Sequence, residues 1–152
     1  LSADELRELL EVRAGLFELV VRKVAARPNP DLLALLEAGV ARLETLSTPA
    51  DAGNDYAETA YRLMILCARQ CGNRRLQRML TALSLQTLRY SKLGLASVER
   101  RQRSARLWRE ATTALAQGDI ERMVALTHQR IEESGEEAIR QLGLSATPGN
   151  NP

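Results

Sequence analysis

The feature that most constrains this chain is a three-and-four spacing of apolar side chains that runs through six stretches, each stopped by proline, glycine or a short polar turn. Residues so spaced share one face of a helix, so each stretch must bury its stripe against another. Ser2-Ala3-Asp4-Glu5 has the form of a capping box. Behind it Leu6, Leu10, Phe17, Val20 and Val24 form a stripe that ends near Arg27-Pro28-Asn29-Pro30. A second helix is predicted from Pro30 to Leu46, with Leu32, Leu33, Leu36, Val40 and Leu43 inward, closed by Ser47-Thr48-Pro49. A third spans Asp51 to Cys71, aligns Tyr56, Ala60, Leu63, Met64, Cys67 and Cys71, and ends at Gly72-Asn73.

The fourth helix, Arg74 to Leu93, is predicted to bury Leu76, Leu80, Leu83 and Leu88, with Gly94 interrupting before the fifth. The fifth opens at Ser97, turns Ala105, Trp108, Ala111 and Leu115 inward, and stops at Gln117-Gly118-Asp119, where aspartate caps the next helix. The last, Ile120 to Leu142, buries Met123, Val124, Leu126, Ile131, Ala138 and Leu142, and Gly143 to Pro152 reads as a flexible tail. Short turns put sequential helices side by side, so the expected fold is all-α, an antiparallel bundle of about six helices. Composition agrees: leucine, alanine, arginine and glutamate dominate, and the aromatic residues are only Phe17, Tyr56, Tyr61, Tyr90 and Trp108.

Several classes are excluded. Two cysteines cannot build a disulfide framework, and one histidine cannot build a multi-histidine metal site. Cys67 and Cys71, four apart on one helical face, read as small core residues. No apolar run is long enough to span a membrane and no secretory leader opens the chain, so a soluble, cytoplasmic protein with no membrane partner is expected. There is no phosphate loop, no nucleophile elbow and no assembly of serine, histidine and aspartate, so no catalytic residue, no cofactor and no enzyme are predicted. The chain begins at Leu1 and enters a helix at once, as a processed domain or fragment would.

Charge is unevenly placed. Between Arg69 and Arg109 eleven basic residues stand against Glu99 alone, a local net of +10 in a chain whose total is +2, which leaves −8 elsewhere. Such a region suits phosphate groups. It equally suits packing of helices four and five against acidic helices one, two and six.

Polar residues on apolar stripes carry the functional signal. Arg13 stands between Leu10 and Phe17, where leucine is expected, and a buried guanidinium needs an anion or a watery cavity. Thr87 and Tyr90 on helix four, Trp108 and Thr112 on helix five, and Thr127, Arg130 and Ser134 on helix six share or border buried rows. Each alone reads as a satisfied core residue, and together they read as the lining of an internal cavity. His128, near the inner edge of helix six, reads as a packed or hydrogen-bonded residue.

Glu11-Val12-Arg13, the proline break, Cys71-Gly72-Asn73-Arg74-Arg75-Leu76, the arginine-rich helices and Ala116-Gln117-Gly118-Asp119 together resemble the C-terminal effector-binding (FCD-type) domain of GntR-superfamily transcription regulators, in the FadR-like branch. The resemblance covers about Ser2 to Leu142. It implies residues 1–142 as a helical effector-binding and dimerisation domain. It also implies a winged-helix DNA-binding domain upstream, a homodimer, and operator DNA as partner through that upstream domain. Many members of the branch hold a metal with one aspartate and three histidines. The matching positions here are Ala60, Met64, Trp108 and Arg130, so the resemblance carries no metal over and points to the branch's metal-free sensors, among them those of acyl-coenzyme A. Glu133-Ser134-Gly135-Glu136 resembles a ligand-responsive stretch of the last helix.

The implied effector is therefore an anionic small molecule. Acyl-coenzyme A is slightly favoured because basic helices four and five offer its phosphates a surface. The alternatives are a carboxylate held by Arg13 and Arg130 in place of the metal, and a ligand-free interaction module. The implied effector site comprises Arg13, Met64, Thr87, Tyr90, Trp108, Arg130 and Ser134.

Overall fold

The serine hydroxyl of Ser2 accepts from the Glu5 amide while the Glu5 carboxylate accepts from the Ser2 amide, so the predicted capping box opens α1 (Ala3–Ala25). In this computed structural model, which describes residues 1–143, five further helices follow: α2 (Pro30–Leu46), α3 (Gly53–Gln70), α4 (Arg74–Gly94), α5 (Val98–Ala116) and α6 (Ile120–Leu142). Side chains of Asn29, Asn73, Ser97 and Asp119 cap the starts of α2, α4, α5 and α6. Gly72 and Gly118 adopt positive φ values of 77° and 72° at the turns they were expected to make. Gly143 caps α6 in the left-handed conformation, and the rest of the predicted tail lies outside the described residues.

α6 packs on α5, α1 and α4, while α3 packs on α4 and α2, and α2 returns to α5. The core joins the predicted stripes of α1, α2, α3 and α6 around Leu6, Phe17, Val20, Leu36, Val40, Leu43, Tyr56 and Ala138. No described helix is long and apolar enough to cross a membrane.

The departures fall where one helix meets several neighbours. Leu33, Leu83, Leu88 and Leu115 are only partly buried and Leu142 is exposed. On α4 the buried row continues from Leu76 and Leu80 into Ser84, Thr87 and Tyr90, because its second half faces a polar interior rather than an apolar core. Gly94 is the last residue of α4. An added Cβ there would overlap the Ser134 carbonyl oxygen, so the glycine permits close approach of α4 to α6. α3 begins two residues later than predicted, at Gly53.

Candidate functional site

Arg13 is buried at 6% exposure on the inner face of α1. Its Nη1 donates to Thr87 Oγ1 at 2.9 Å and to Ser91 Oγ at 3.3 Å, both on α4. Thr87 in turn donates to the Leu83 carbonyl at 2.9 Å, which holds its lone pair toward the guanidinium. Neither partner is charged, and Arg13 Nε is enclosed with no partner among the described residues. Burial pushes this guanidinium down to about 10.

Arg130 reaches the same space from α6. Its guanidinium carbon lies 4.1 Å from the centroid of the Trp108 ring and 5.9 Å from that of Phe17. Its Nη2 is likewise enclosed and unpaired. Burial, then the positive charge of Arg13, push Arg130 down to about 9. Both groups remain cations at neutral pH.

Between them lies a cavity lined by the two arginines, by Ala57, Ala60, Tyr61 and Met64 of α3, and by the hydroxyls of Ser84, Ser91, Ser104 and Ser134. Among the described residues no carboxylate lines it. It measures about 30 Å³, on a scale where one water needs roughly 10–15 Å³. That is room for about two waters, or for the two oxygens of one carboxylate. One more donor, Trp108 Nε1, is enclosed and unpaired among the described residues, and burial pushes the Tyr56 hydroxyl, beside Ser104, up to about 12. Cationic N–H groups that face only neutral hydroxyls and leave some donors unpaired are incomplete by themselves, since each enclosed unpaired polar group costs about 1–3 kcal/mol.

Of the residues implied by resemblance, Arg13, Met64, Arg130 and Ser134 line this cavity. Thr87 stands behind Arg13 as its hydrogen-bond partner. Trp108 stands behind Arg130, in a separate apolar recess with Phe17, Cys67 and Thr127. Tyr90 borders a smaller void beside Arg13 and Ser134, with Arg89 over its ring at 4.5 Å. Sequence reasoning missed Ser84, Ser91, Ser104 and Tyr61, although Ser84, Thr87 and Ser91 form one hydroxyl row along α4 that could have been read.

Part of the basic middle of the chain is occupied. Arg109 pairs with Glu44 at 2.5 Å, Arg103 with Glu133 at 3.1 Å and Lys92 with Glu58 at 3.2 Å. Arg101, counted among the charged surface, is wholly buried and donates to the carbonyls of Leu46, Pro49, Leu95 and Ala96, tying the α2–α3 turn to the α4–α5 turn. His128 lies outside the cavity, where Nε2 meets Glu18 Oε1 at 3.2 Å across α6 and α1. Burial pushes the Cys67 thiol up to about 12, so it stays protonated.

The helices of this all-α domain close on a small cationic cavity. The chain belongs to the FCD domain family, whose model it matches over residues 8–133. No curated protein matches it. Among solved structures it is similar to Lar, described as controlling the expression of the Listeria monocytogenes agr system and mediating virulence, with a TM-score of 0.78 at 20% sequence identity. That likeness covers 92% of this chain and 66% of Lar, and at this identity it concerns the fold.

The positions that match the family's metal ligands come together as well: Ala60, Met64 and Arg130 line the one cavity, with Trp108 under Arg130. A methyl, a thioether, an indole and a guanidinium do not fit a metal with an aspartate-and-histidine shell. Among the described residues no three histidine, cysteine, aspartate or glutamate side chains converge to replace them.

Proposed function

We propose that this chain is the effector-sensing domain of a GntR-superfamily, FadR-like transcription regulator, and that its effector is a small carboxylate bound between Arg13 and Arg130. The observation that carries this reading is a pair of guanidiniums, Arg13 buried and Arg130 partly buried, each with one enclosed and unpaired N–H, around a carboxylate-sized cavity in which no described residue contributes an acid. The size of the cavity favours a small carboxylate over acyl-coenzyme A, whose chain needs a tunnel. The ion pairs of Lys92, Arg103 and Arg109 also leave fewer free cations for its phosphates.

In this proposal the full regulator is a cytoplasmic homodimer with a winged-helix domain upstream of Leu1. The effector favours one packing of α1, α3, α4, α5 and α6, and so alters how the paired DNA-binding domains fit operator DNA. Thermal denaturation tests the binding step. Malonate at a hundred times its Kd stabilises the wild-type domain by about 2.7 kcal/mol, and Arg13→Met abolishes that gain. Stabilisation by acyl-coenzyme A with none by malonate or propionate would reverse the choice of effector.

A further inference from the structure

The cavity holds two fixed positive charges and nothing to balance them. Its wall is made of guanidiniums, hydroxyls and apolar groups, the neighbouring Cys67 thiol stays protonated, and no acidic or imidazole trio is at hand among the described residues. A divalent ion would enter as a further positive charge beside two cations, with no anionic ligand to hold it. The site attracts an anion and repels a metal.

The second observation is how Arg130 is held. Its guanidinium carbon lies over the Trp108 ring, 4.1 Å from the centroid, with Phe17 farther off at 5.9 Å, a cation–π contact that occupies none of its edge N–H groups with an oxygen acceptor. One of those edge groups, Nη2, is enclosed and unpaired, as is Nε of Arg13. Gly135 and Gly94 let α6, which carries Arg130 and Ser134, sit tightly against Leu10 of α1 and against the end of α4, so the backbone under Arg130 is held from two sides.

We infer that Arg130, stacked on Trp108, is a built-in cation that takes the place of a bound metal ion in this pocket, so that carboxylate binding here needs no metal and reads the planar carboxylate group alone. The inference rests on the proposed carboxylate site. A metal centre rewards chelation by a carboxylate together with an adjacent hydroxyl, whereas a guanidinium edge rewards two coplanar oxygens and gains nothing from a third. Trp108 acts here as a positioning residue that sets the plane of Arg130.

Trp108 is the only tryptophan in the chain, so its fluorescence reports this contact directly. The test titrates malonate, propionate and lactate into the 152-residue protein with and without excess chelator, reading Trp108 emission and melting temperature. The expected result is binding that the chelator leaves unchanged, with lactate no tighter than propionate. Arg130→Lys keeps the charge but loses the planar fork, and its affinity falls about tenfold or more. Trp108→Phe keeps an aromatic face, so its affinity, read by melting temperature, falls less than that of Arg130→Lys. Circular dichroism of each variant establishes that the helices are intact.

Binding that vanishes with chelator and returns with zinc or nickel overturns the inference and leaves the carboxylate site standing. Equal affinity of Arg130→Lys and wild type overturns it as well. Silence toward all three acids overturns both the inference and the site.

Discussion

Replacing Arg13 by methionine should make the protein more stable and blind to its effector. The native state holds the Arg13 guanidinium 6% exposed among neutral partners. Its descent from the ordinary guanidinium value to about 10 corresponds to roughly 3 kcal/mol disfavouring the charged folded form at about 1.4 kcal/mol per unit. The sign is that of a base whose folded value is depressed. The unfolded chain binds the proton more tightly, so the penalty is fully present at neutral pH and is relieved only as pH climbs from about 10 toward the ordinary guanidinium value.

Methionine fills much of the same space without the charge. The variant gives up two hydrogen bonds to hydroxyls, worth about 1 kcal/mol each. Thr87 still donates to Leu83, so no buried donor is stranded. The balance is a gain of roughly 1 kcal/mol, or about 2–4 °C in melting temperature for a domain of this size. Calorimetry of both proteins, with and without malonate, measures the two effects together. A variant that melts several degrees lower, or one that malonate stabilises as fully as wild type, would refute the reasoning that Arg13 is an uncompensated cation kept for a ligand.

Arg101→Met should have the opposite sign. It removes the donor from four carbonyls at two turns, two of them in buried bonds, and costs about 3 kcal/mol or more in chemical denaturation. Gly94→Ala drives a methyl into the Ser134 carbonyl and should destabilise by about 1–3 kcal/mol while weakening malonate binding through displacement of Ser134, as titration would show. In acid, Glu44, Glu133 and Glu136 are held below the usual carboxylate range chiefly by hydrogen bonds from Arg109, Arg103 and Arg7. Their stabilisation is present above about pH 4.5 and lost as pH falls through the lower folded values. Denaturant midpoints should therefore decline below pH 4.5, less steeply in Glu133→Gln.

The helices were legible because their punctuation is local. Ser2, Asn29, Asn73, Ser97 and Asp119 cap through their own side chains, and Gly72 and Gly118 need φ values that other residues avoid. Arg13 was legible for a related reason, since a charge on an apolar stripe has no other place to go. What escaped is tertiary. Leu83 looks like core on a helical wheel yet is only partly buried, while α4 turns Ser84, Leu88 and Ser91 toward the cavity and Thr87 toward Arg13. Arg101 sits in an arginine-rich run and reads as surface, because only the approach of two distant turns buries it. Trp108 and Arg130 fall on recognisable family positions, but their stacking follows from the crossing of α5 and α6, which spacing within either helix does not encode.

The most direct test of the carboxylate site is a crystal structure of the domain grown with malonate. The account predicts one carboxylate between the two arginines, its oxygens about 2.7–2.9 Å from Arg13 Nε and Arg130 Nη2, with Arg130 still stacked on Trp108 and no metal peak beside it. Malonate bound elsewhere, or a metal ion coordinated in that cavity, would contradict it.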